Sequence, residues 1–347
     1  MDEATAGSGG GVAVARAAGI LLMLILGALF VYANRGEVPN AWRAARTADA
    51  LYLGIAALVT VAFFVNLSAL HAAAYRAVGL RMPFREMAWL TLASAFVNMV
   101  AKSGGMGGLT LFLADARRRQ QPAGRVVTAY LLANLLGHLA FAATLAIAMV
   151  VVWRGGRLTR PEVLAGGVFT AYFVVQVVVF IAGVRSRAAL RMVHALPARL
   201  AHGVKRIARR GSSHSAPDNR AADELFDAIS LLIRRPSAMI LPAAHAVAVE
   251  LLGVATVAAV LRAFGEGGGL QTPLVAYAIA VLFSIVGFLP AGLGFVEASM
   301  VATLTAFGVA APVAAVTVLT YRLFEVWIPF VAGAIAAQAL ARKKETK

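Results

Sequence analysis

Long apolar runs separated by short polar segments dominate the amino-acid sequence. A helix needs about 20 apolar residues to cross the hydrocarbon core of a bilayer, and six runs are long enough. These runs are Val12–Ala33, Ala50–Leu70, Val126–Trp153, Val163–Val184, Ser237–Leu261 and Val313–Ala341. The pattern therefore predicts an all-α polytopic membrane protein with six full transmembrane helices.

Two further apolar regions are interrupted by breaks rich in glycine. Phe84–Ala114 is broken at residues 102–108, and Pro273–Phe307 is broken at residues 290–294. In each region the second arm has only about 10 residues, which rise about 15 Å in a helix and cover half of the hydrocarbon core. Irregular backbone is tolerated at membrane depth only where protein or water covers it. We therefore predict two broken or re-entrant helical hairpins.

The composition agrees with a membrane protein and excludes several other classes. The chain has 347 residues, of which 61% are apolar and 14% charged, whereas a soluble domain is about half apolar and about a quarter charged. The absence of cysteine excludes a disulfide scaffold and a metal site with cysteine ligands. Neither a histidine–carboxylate metal spacing nor a serine nucleophile elbow is found, so we predict no catalytic residue, metal or cofactor.

The basic residues predict the orientation of the chain in the cytoplasmic membrane. Residues 185–236 hold eleven Lys+Arg, 115–125 four, 75–85 three and 342–347 four, which together make 22 of the 32 basic residues. Cytoplasmic loops are enriched in Lys and Arg, so we place these segments and both termini in the cytoplasm. The first broken region then enters and leaves on the cytoplasmic side, and the second enters and leaves on the outer side.

The two halves of the chain are predicted to form an inverted repeat. An offset of 187 residues aligns Gly105 with Gly292 and Gly107 with Gly294, and aligns the starts of the helices that follow each hairpin. Residues 12–153 would form one half and residues 163–341 the other, after a short N-terminal tail at 1–11. Inverted repeats with broken helices are typical of transporters.

The net charge of +16 does not indicate a nucleic-acid partner. The basic loop at 185–236 shows neither a recognition helix nor a pattern of stacking aromatic residues. We expect it to attract anionic lipid headgroups. A partner from cell-envelope biosynthesis and a homo-oligomer both remain open at this point.

The break in the second hairpin is the sharpest local motif. Pro290 ends the first arm because it lacks a backbone N–H, and Gly292 and Gly294 let the chain reverse. Glu297 then lies in the first turn of the second arm, where a carboxylate interacts well with the helix N-terminus. Glu297 is a structural cap, a carboxylate that faces a substrate path, or both.

Three residues of the last helix extend this candidate substrate-binding site. Arg322 and Glu325 lie three residues apart on one helix face, next to Tyr321. Charged side chains inside a span are rare and are a functional hypothesis by default. The pair either forms an internal ion cluster with Glu297 or binds a headgroup phosphate through the planar fork of arginine.

The first hairpin supplies a second set of candidate residues. Its break contains a lysine, a serine and four glycines that we assign to substrate binding: Lys102, Ser103, Gly104, Gly105, Gly107 and Gly108. Free N–H groups of a glycine-rich helix start are suited to holding phosphate. The alternative is a flexible turn with Lys102 reaching to water.

Three polar residues inside other spans complete the candidate set. Asn134 and His138 share one face of the helix that follows the first hairpin, and the offset of 187 aligns them with Tyr321 and Glu325. His138 is a hydrogen-bonded bundle residue or a proton relay. Glu250 lies in the middle of a span, where a carboxylate must be paired, neutral or hydrated.

The motif of the second hairpin resembles a known family of membrane proteins. The run 289–298 and the later residues of the last helices resemble the lysylphosphatidylglycerol synthase transmembrane-region family, which are flippase-like integral membrane proteins. The matching residues are Leu289–Ala298, Gly308, Val309, Tyr321, Arg322, Pro329, Lys102–Gly105 and Ala114–Gln121. The resemblance covers roughly residues 15–340. Many members have Pro-x-Arg-x-Gly-Glu at the first hairpin, where this chain has Ser-Gly-Gly-Met-Gly-Gly.

The resemblance implies movement of lipids between membrane leaflets. Founding members are fused to a soluble aminoacyl-transferase, but this sequence ends six residues after Ala341, so we expect no synthase activity. Stand-alone relatives are linked to hopanoid or polyprenyl-phosphate-glycan pathways, so the lipid could be of either type or a phospholipid.

Our first hypothesis is a lipid flippase with a cavity between the opposed hairpins. The alternatives are a membrane enzyme with Glu297 or Glu250 as general base, and a scaffold subunit of a glycolipid or cell-envelope pathway.

Overall fold

The computed structural model describes residues 46–100, 106–156, 160–185, 230–232, 234–267, 269–287 and 289–345. Throughout these ranges the regular structure is helical, with no strand, and the prediction of an all-α polytopic membrane protein is confirmed. Ten α-helices of this part are labelled in chain order: α1 Ala50–Ala77, α2 Phe84–Val100, α3 Met106–Arg118, α4 Ala123–Arg154, α5 Arg160–Arg185, α6 Ile240–Ala263, α7 Gln271–Val286, α8 Phe295–Ala306, α9 Ala311–Arg322 and α10 Ile328–Glu345.

Five helices of the described ranges are long and apolar enough to cross a membrane. They are Ala50–Ala77, Ala123–Arg154, Arg160–Val178, Pro236–Ala263 and Ala311–Leu340. These helices correspond to five of the six predicted spans, and their ends differ from the predicted ones by at most seven residues. The sixth, Val12–Ala33, lies outside the described residues, so the total of six spans and the inverted repeat stay predictions.

Both interrupted regions consist of two helices that pack against each other. The first region contains α2 and α3, and the residues between them, 101–105, lie outside the described part. The second contains α7 and α8, which are joined through a 3-10 turn at Pro290–Gly292. The second arms have 13 and 12 residues, slightly more than the apolar pattern predicts. In the first hairpin the polar end of the arm, up to Arg118, is also helical.

The two hairpins enter the helix bundle from opposite ends. The N–H of Asp49 donates to the carbonyl of Ala263 at 2.7 Å, so α1 and α6 run antiparallel. At the C-terminal end of α1, Arg119 forms an ion pair with Glu86, which joins the two flanks of the first hairpin.

At the other end, the two flanks of the second hairpin lie side by side. Arg262 and Glu266, which precede α7, line one small cavity together with Phe307 and Val309, which follow α8. This end also holds the start of α1, because Asp49 bonds Ala263 there. The predicted opposed entry of the hairpins is therefore seen in the helix packing, while the assignment of cytoplasmic and outer sides stays a prediction.

The bundle exposes apolar side chains and buries charged ones. Leu58, Leu164 and Leu251 are each more than half exposed on the outer surface of their helices, whereas Arg322 and Glu297 are almost completely buried. A soluble protein shows the reverse distribution. This arrangement fits helices that face lipid and enclose a polar centre.

The hairpins meet near that centre. The first arm of the first hairpin, α2, contacts the 3-10 turn of the second hairpin, and α10 packs along α2. The approach of α10 is close because Gly333 lies against the backbone of Leu92, where an added Cβ would come within 2.6 Å of the carbonyl oxygen. Phe96 and Phe330 pack beside this contact with their ring centroids 4.9 Å apart.

Candidate functional site

The break of the second hairpin is a tight turn in which three of four neighbouring residues have a positive φ. Ala291, Gly292 and Gly294 have φ values of 52°, 66° and 82°, a region that costs an L-residue about 1–2 kcal/mol. At Gly292 a Cβ would lie 2.8 Å from the Cα of Ser284, so glycine is needed both for conformation and for space. Ala291 is not a glycine, so other contacts must stabilise its strained conformation.

Glu297 closes the turn from the first turn of α8. One carboxylate oxygen, Oε2, accepts a hydrogen bond from the N–H of Gly294 at 2.6 Å. The other, Oε1, accepts from Nε of Arg322 at 2.8 Å. Glu297 is therefore the predicted helix cap, and both of its oxygens are engaged by protein.

Arg322 clamps the turn to the last helix. Its side chain is 2% exposed and donates from all three nitrogens. Nη2 donates to the carbonyl of Ala291 at 2.8 Å, and Nη1 donates to Oε2 of Glu325 at 2.8 Å. The first of these bonds holds Ala291 in its strained conformation. Together with the bond to Glu297, they make Arg322 the centre of a buried ion cluster.

A π-helical turn positions the two charged residues of the last helix. Residues Leu323–Trp327 form this turn between α9 and α10, and the N–H of Ile328 donates to the carbonyl of Leu323. Pro329 follows, and proline removes the N–H that would bond the carbonyl four residues earlier. The apolar pattern predicted a regular helix here. Pro329 was the signal for the irregularity, which π-turns often bring to functional sites.

A small cavity lies on one side of the ion cluster. It has a volume of about 80 Å³, and its polar walls include Tyr277, Tyr321 and Glu325. Glu325 is 26% exposed along its side chain, unlike Glu297. Of the predicted residues of the second half, the structure thus brings together Tyr321, Arg322, Glu325 and Glu297 around the break.

Glu250 lies near this cavity on α6. It is 7% exposed, and its Oε2 atom has no hydrogen-bond partner among the described residues. His245 on the same helix bonds instead to Asn66 of α1, with 2.7 Å between its Nδ1 and Oδ1 of that asparagine.

A larger and more apolar cavity lies on the other side of the hairpin break. Its volume is about 710 Å³, within the range of about 300–1,000 Å³ typical of small-molecule sites. Ala298, Ala302 and Ala306 form one wall along α8, and the ends of α4 and α5 form another. Gly294 lies at its edge. The described residues that line it include none from the first hairpin, and the hypothesis of a cavity between the two hairpins stays a prediction.

The described part of the first hairpin has its own anchor, which the sequence analysis did not identify. Oδ1 of Asn98 accepts a hydrogen bond from the N–H of Gly108 at 2.6 Å, and its Nδ2 donates to the hydroxyl of Tyr130 at 3.2 Å. A Cβ on Gly108 would lie 2.0 Å from Oγ of Ser94. An asparagine near the end of an otherwise apolar arm was the signal available for this contact.

The other predicted residues of the first half make different contacts or lie outside the described part. Gly107 is the second residue of α3, and its carbonyl accepts a hydrogen bond from the hydroxyl of Thr110. Asn134 bonds the carbonyl of Tyr130 within its own helix at 2.8 Å. His138 pairs with Gln176 of α5, with 3.0 Å between Nδ1 and Oε1. Lys102, Ser103, Gly104 and Gly105 lie outside the described residues.

Metal binding receives no support from the described residues. Nowhere in them do three or more His, Asp or Glu side chains come together in a group that could hold a metal ion. The cation of the buried cluster is Arg322 itself, which pairs with Glu297 and Glu325.

The fold and this site define a polytopic membrane protein in which a broken helical hairpin is closed by a buried ion cluster. The chain belongs to the family described as the lysylphosphatidylglycerol synthase TM region, which matches residues 11–333. This membership places it among membrane proteins of lipid-related pathways. A comparison with curated proteins gives no significant match.

Proposed function

We propose that the protein is a lipid flippase that moves a phospholipid, or a polyprenyl- or hopanoid-type lipid, between the leaflets of the cytoplasmic membrane. The observation that carries the proposal is the hairpin break beside the 710 Å³ cavity. A break at membrane depth requires protein or water around it, and in transporters such breaks mark the substrate site. Family membership supports the link to lipids.

The two cavities suit the two parts of a lipid. The larger cavity is lined mainly by apolar side chains, so a hydrocarbon chain gains the same burial there as in the bilayer. The smaller cavity presents Tyr277, Tyr321 and Glu325, which offer hydrogen bonds to a polar headgroup. The hairpin break separates them, so we place the route of the headgroup at the break.

Arg322 acts in this proposal as a positioning residue. All three of its nitrogens donate to groups of the protein, and the N–H of Gly294 is satisfied by Glu297. A phosphate would have to displace Glu325, the more exposed of the two carboxylates. We therefore propose that Arg322 holds the backbone of the hairpin break in the conformation that borders the larger cavity.

The proposal can be tested with fluorescent lipids in proteoliposomes. Purified protein is reconstituted, and the fraction of labelled lipid that reaches the inner leaflet is measured by chemical quenching of the outer one. Ala302→Trp fills the larger cavity and is expected to slow transfer at least about tenfold, which corresponds to about 1.4 kcal/mol in the barrier. Ala244→Trp on the exposed face of α6 is the matched control and is expected to behave as the unmodified protein.

Three results would contradict the proposal. One is transfer no faster than in empty liposomes for every lipid extracted from the native membrane. Another is conversion of a labelled lipid into a new product, which would favour the membrane enzyme. The third is a rate of lipid transfer in Ala302→Trp equal to that of the unmodified protein, together with stoichiometric co-purification of a partner. That result would favour the scaffold subunit.

A further inference from the structure

Glu250 is a buried carboxyl group that the site described above does not use. It lies in α6, a helix long and apolar enough to cross the membrane, and is 7% exposed. The Oε2 atom has no hydrogen-bond partner in the described structure, and no described arginine or lysine forms an ion pair with Glu250. A lone ionised carboxylate in such a place is strongly disfavoured.

The helices packed against α6 supply only hydroxyl groups to Glu250. Thr144 of α4 and Tyr277 of α7 lie within hydrogen-bonding reach of the carboxyl group, and Tyr321 of α9 is the next ionisable neighbour. On α1 the segment 53–70, which faces the middle of α6, contains no ionisable residue. Among the described residues, the charges that act on these two tyrosines besides Glu250 are those of Arg322 and Glu325.

Tyr277 is close to Glu250 and also lines the small cavity beside the ion cluster. Its phenol ring lies against Gly253, three residues after Glu250, so closely that a Cβ there would come within 2.2 Å of the ring. This contact fixes the hydroxyl end of the ring on the face of α6 that also carries Glu250. The same tyrosine lines the 80 Å³ cavity together with Tyr321 and Glu325.

The ion cluster has fewer positive than negative charges. Arg322 is the only described cation in the buried cluster, and it already pairs with both Glu297 and Glu325. An ionised Glu250 would add a third carboxylate to one guanidinium. Binding of a proton by Glu250 removes this excess, and its release restores it.

We propose that Glu250 is a proton-binding site that couples lipid movement to the proton gradient, with Tyr277 as the connection to the Glu325-lined cavity. The inference rests on the proposed flippase function. In the loading step a proton from the cavity forms a new O–H bond at the phenol oxygen of Tyr277 as the original O–H bond of Tyr277 breaks and the O–H bond of the Glu250 carboxyl forms. One proton is taken up, Tyr277 stays neutral, and no electron is transferred.

Lipid transport under an imposed pH gradient tests the coupling. With one proton per lipid, a gradient of about one pH unit supports a steady-state lipid asymmetry of up to about tenfold. The unmodified protein is expected to build this asymmetry, and Glu250→Gln is expected to lose it. Glu266→Gln, in the loop after α6, is the control and should retain it. Equal asymmetry with and without the gradient, or its persistence in Glu250→Gln, would overturn the inference.

An infrared measurement tests the proton site without any lipid transport. Difference spectra of the purified protein at acid and alkaline pH should show the C=O band of a protonated carboxylic acid, which Glu250→Gln removes and Glu266→Gln leaves. If Glu250→Gln leaves the band unchanged, the inference fails. If the band behaves as expected but no lipid moves, the proton site stands and the flippase proposal is the part that fails.

Discussion

At the scale of single residues, Arg322 determines the conformation of the hairpin break. A buried cation is stable only when its partners are in place, and removal of one member of such a pair costs far more than the pair itself contributes. Here one guanidinium serves two carboxylates and the carbonyl of Ala291. The strained φ of Ala291 therefore depends on a residue 31 positions later in the chain.

Replacement of Arg322 tests this dependence. Arg322→Met is expected to lower the free energy of unfolding by about 3–5 kcal/mol, because Glu297 and Glu325 are left without a counter-charge. Thermal unfolding of the detergent-purified variants measures the loss. The exposed Arg154 at the end of α4 is the control, and Arg154→Ala should change stability by no more than about 0.5 kcal/mol.

A combination of substitutions separates lost charge from lost packing. When Glu297→Gln is added to Arg322→Met, one uncompensated carboxylate disappears, so part of the lost stability should return. Strict additivity of the two single effects would show that the residues do not act as one cluster.

At the scale of helices, each hairpin is tied at the start of its second arm by a side chain. In the second hairpin Glu297 binds the N–H of Gly294 from within the same arm. In the first, Asn98 binds the N–H of Gly108 from the opposite arm. Both contacts satisfy an N–H group that the helix itself leaves without a partner.

The Asn98 contact predicts a local effect on hydrogen exchange. Asn98→Ala removes the acceptor for the N–H of Gly108, and a hydrogen bond of this kind contributes about 1 kcal/mol, so exchange at the start of α3 should accelerate about fivefold. Asn66→Ala is the matched control, because Asn66 bonds the carbonyl of His245 instead. It should leave α3 unchanged and affect α6. Acceleration of α3 by both variants would contradict the assignment.

Most of the helical architecture could be predicted from the apolar pattern, since length and hydropathy decide which segments can cross a bilayer. An ion cluster of Arg322, Glu325 and Glu297 was one of the two interpretations that the sequence allowed, because helical spacing places Arg322 and Glu325 on one face. The link from Asn98 to Gly108 could not be predicted, because it depends on how closely two arms approach. The π-turn was missed for a similar reason, since its register depends on local packing around Pro329.

At the scale of the whole molecule, the antiparallel packing of α1 and α6 places the two hairpins at opposite ends. This arrangement follows from the contact between Asp49 and Ala263 and from the joined flanks of each hairpin. It does not depend on the distribution of basic residues. The positive-inside pattern predicts which of the two ends is cytoplasmic.

Cysteine labelling can test both the opposed entry and the orientation, because the chain has no native cysteine. Arg81→Cys and Gln120→Cys lie at the two flanks of the first hairpin and should react only with a reagent supplied from the cytoplasmic side. Glu266→Cys and Ala310→Cys flank the second hairpin and should react only from the outer side. Labelling of Gln120→Cys and Ala310→Cys from the same side would contradict the opposed arrangement.

The three hydrogen bonds of Arg322 also have a mechanical consequence. Two of them, to Glu297 and to the carbonyl of Ala291, fasten the second hairpin to Arg322 at one buried point, while the opposite side of the break borders the larger cavity. We therefore expect α8 and the helix that carries Arg322 to move together. Such a movement would change the distance between α8 and the opposite wall of the cavity, which is formed by the C-terminal end of α4 and the N-terminal end of α5.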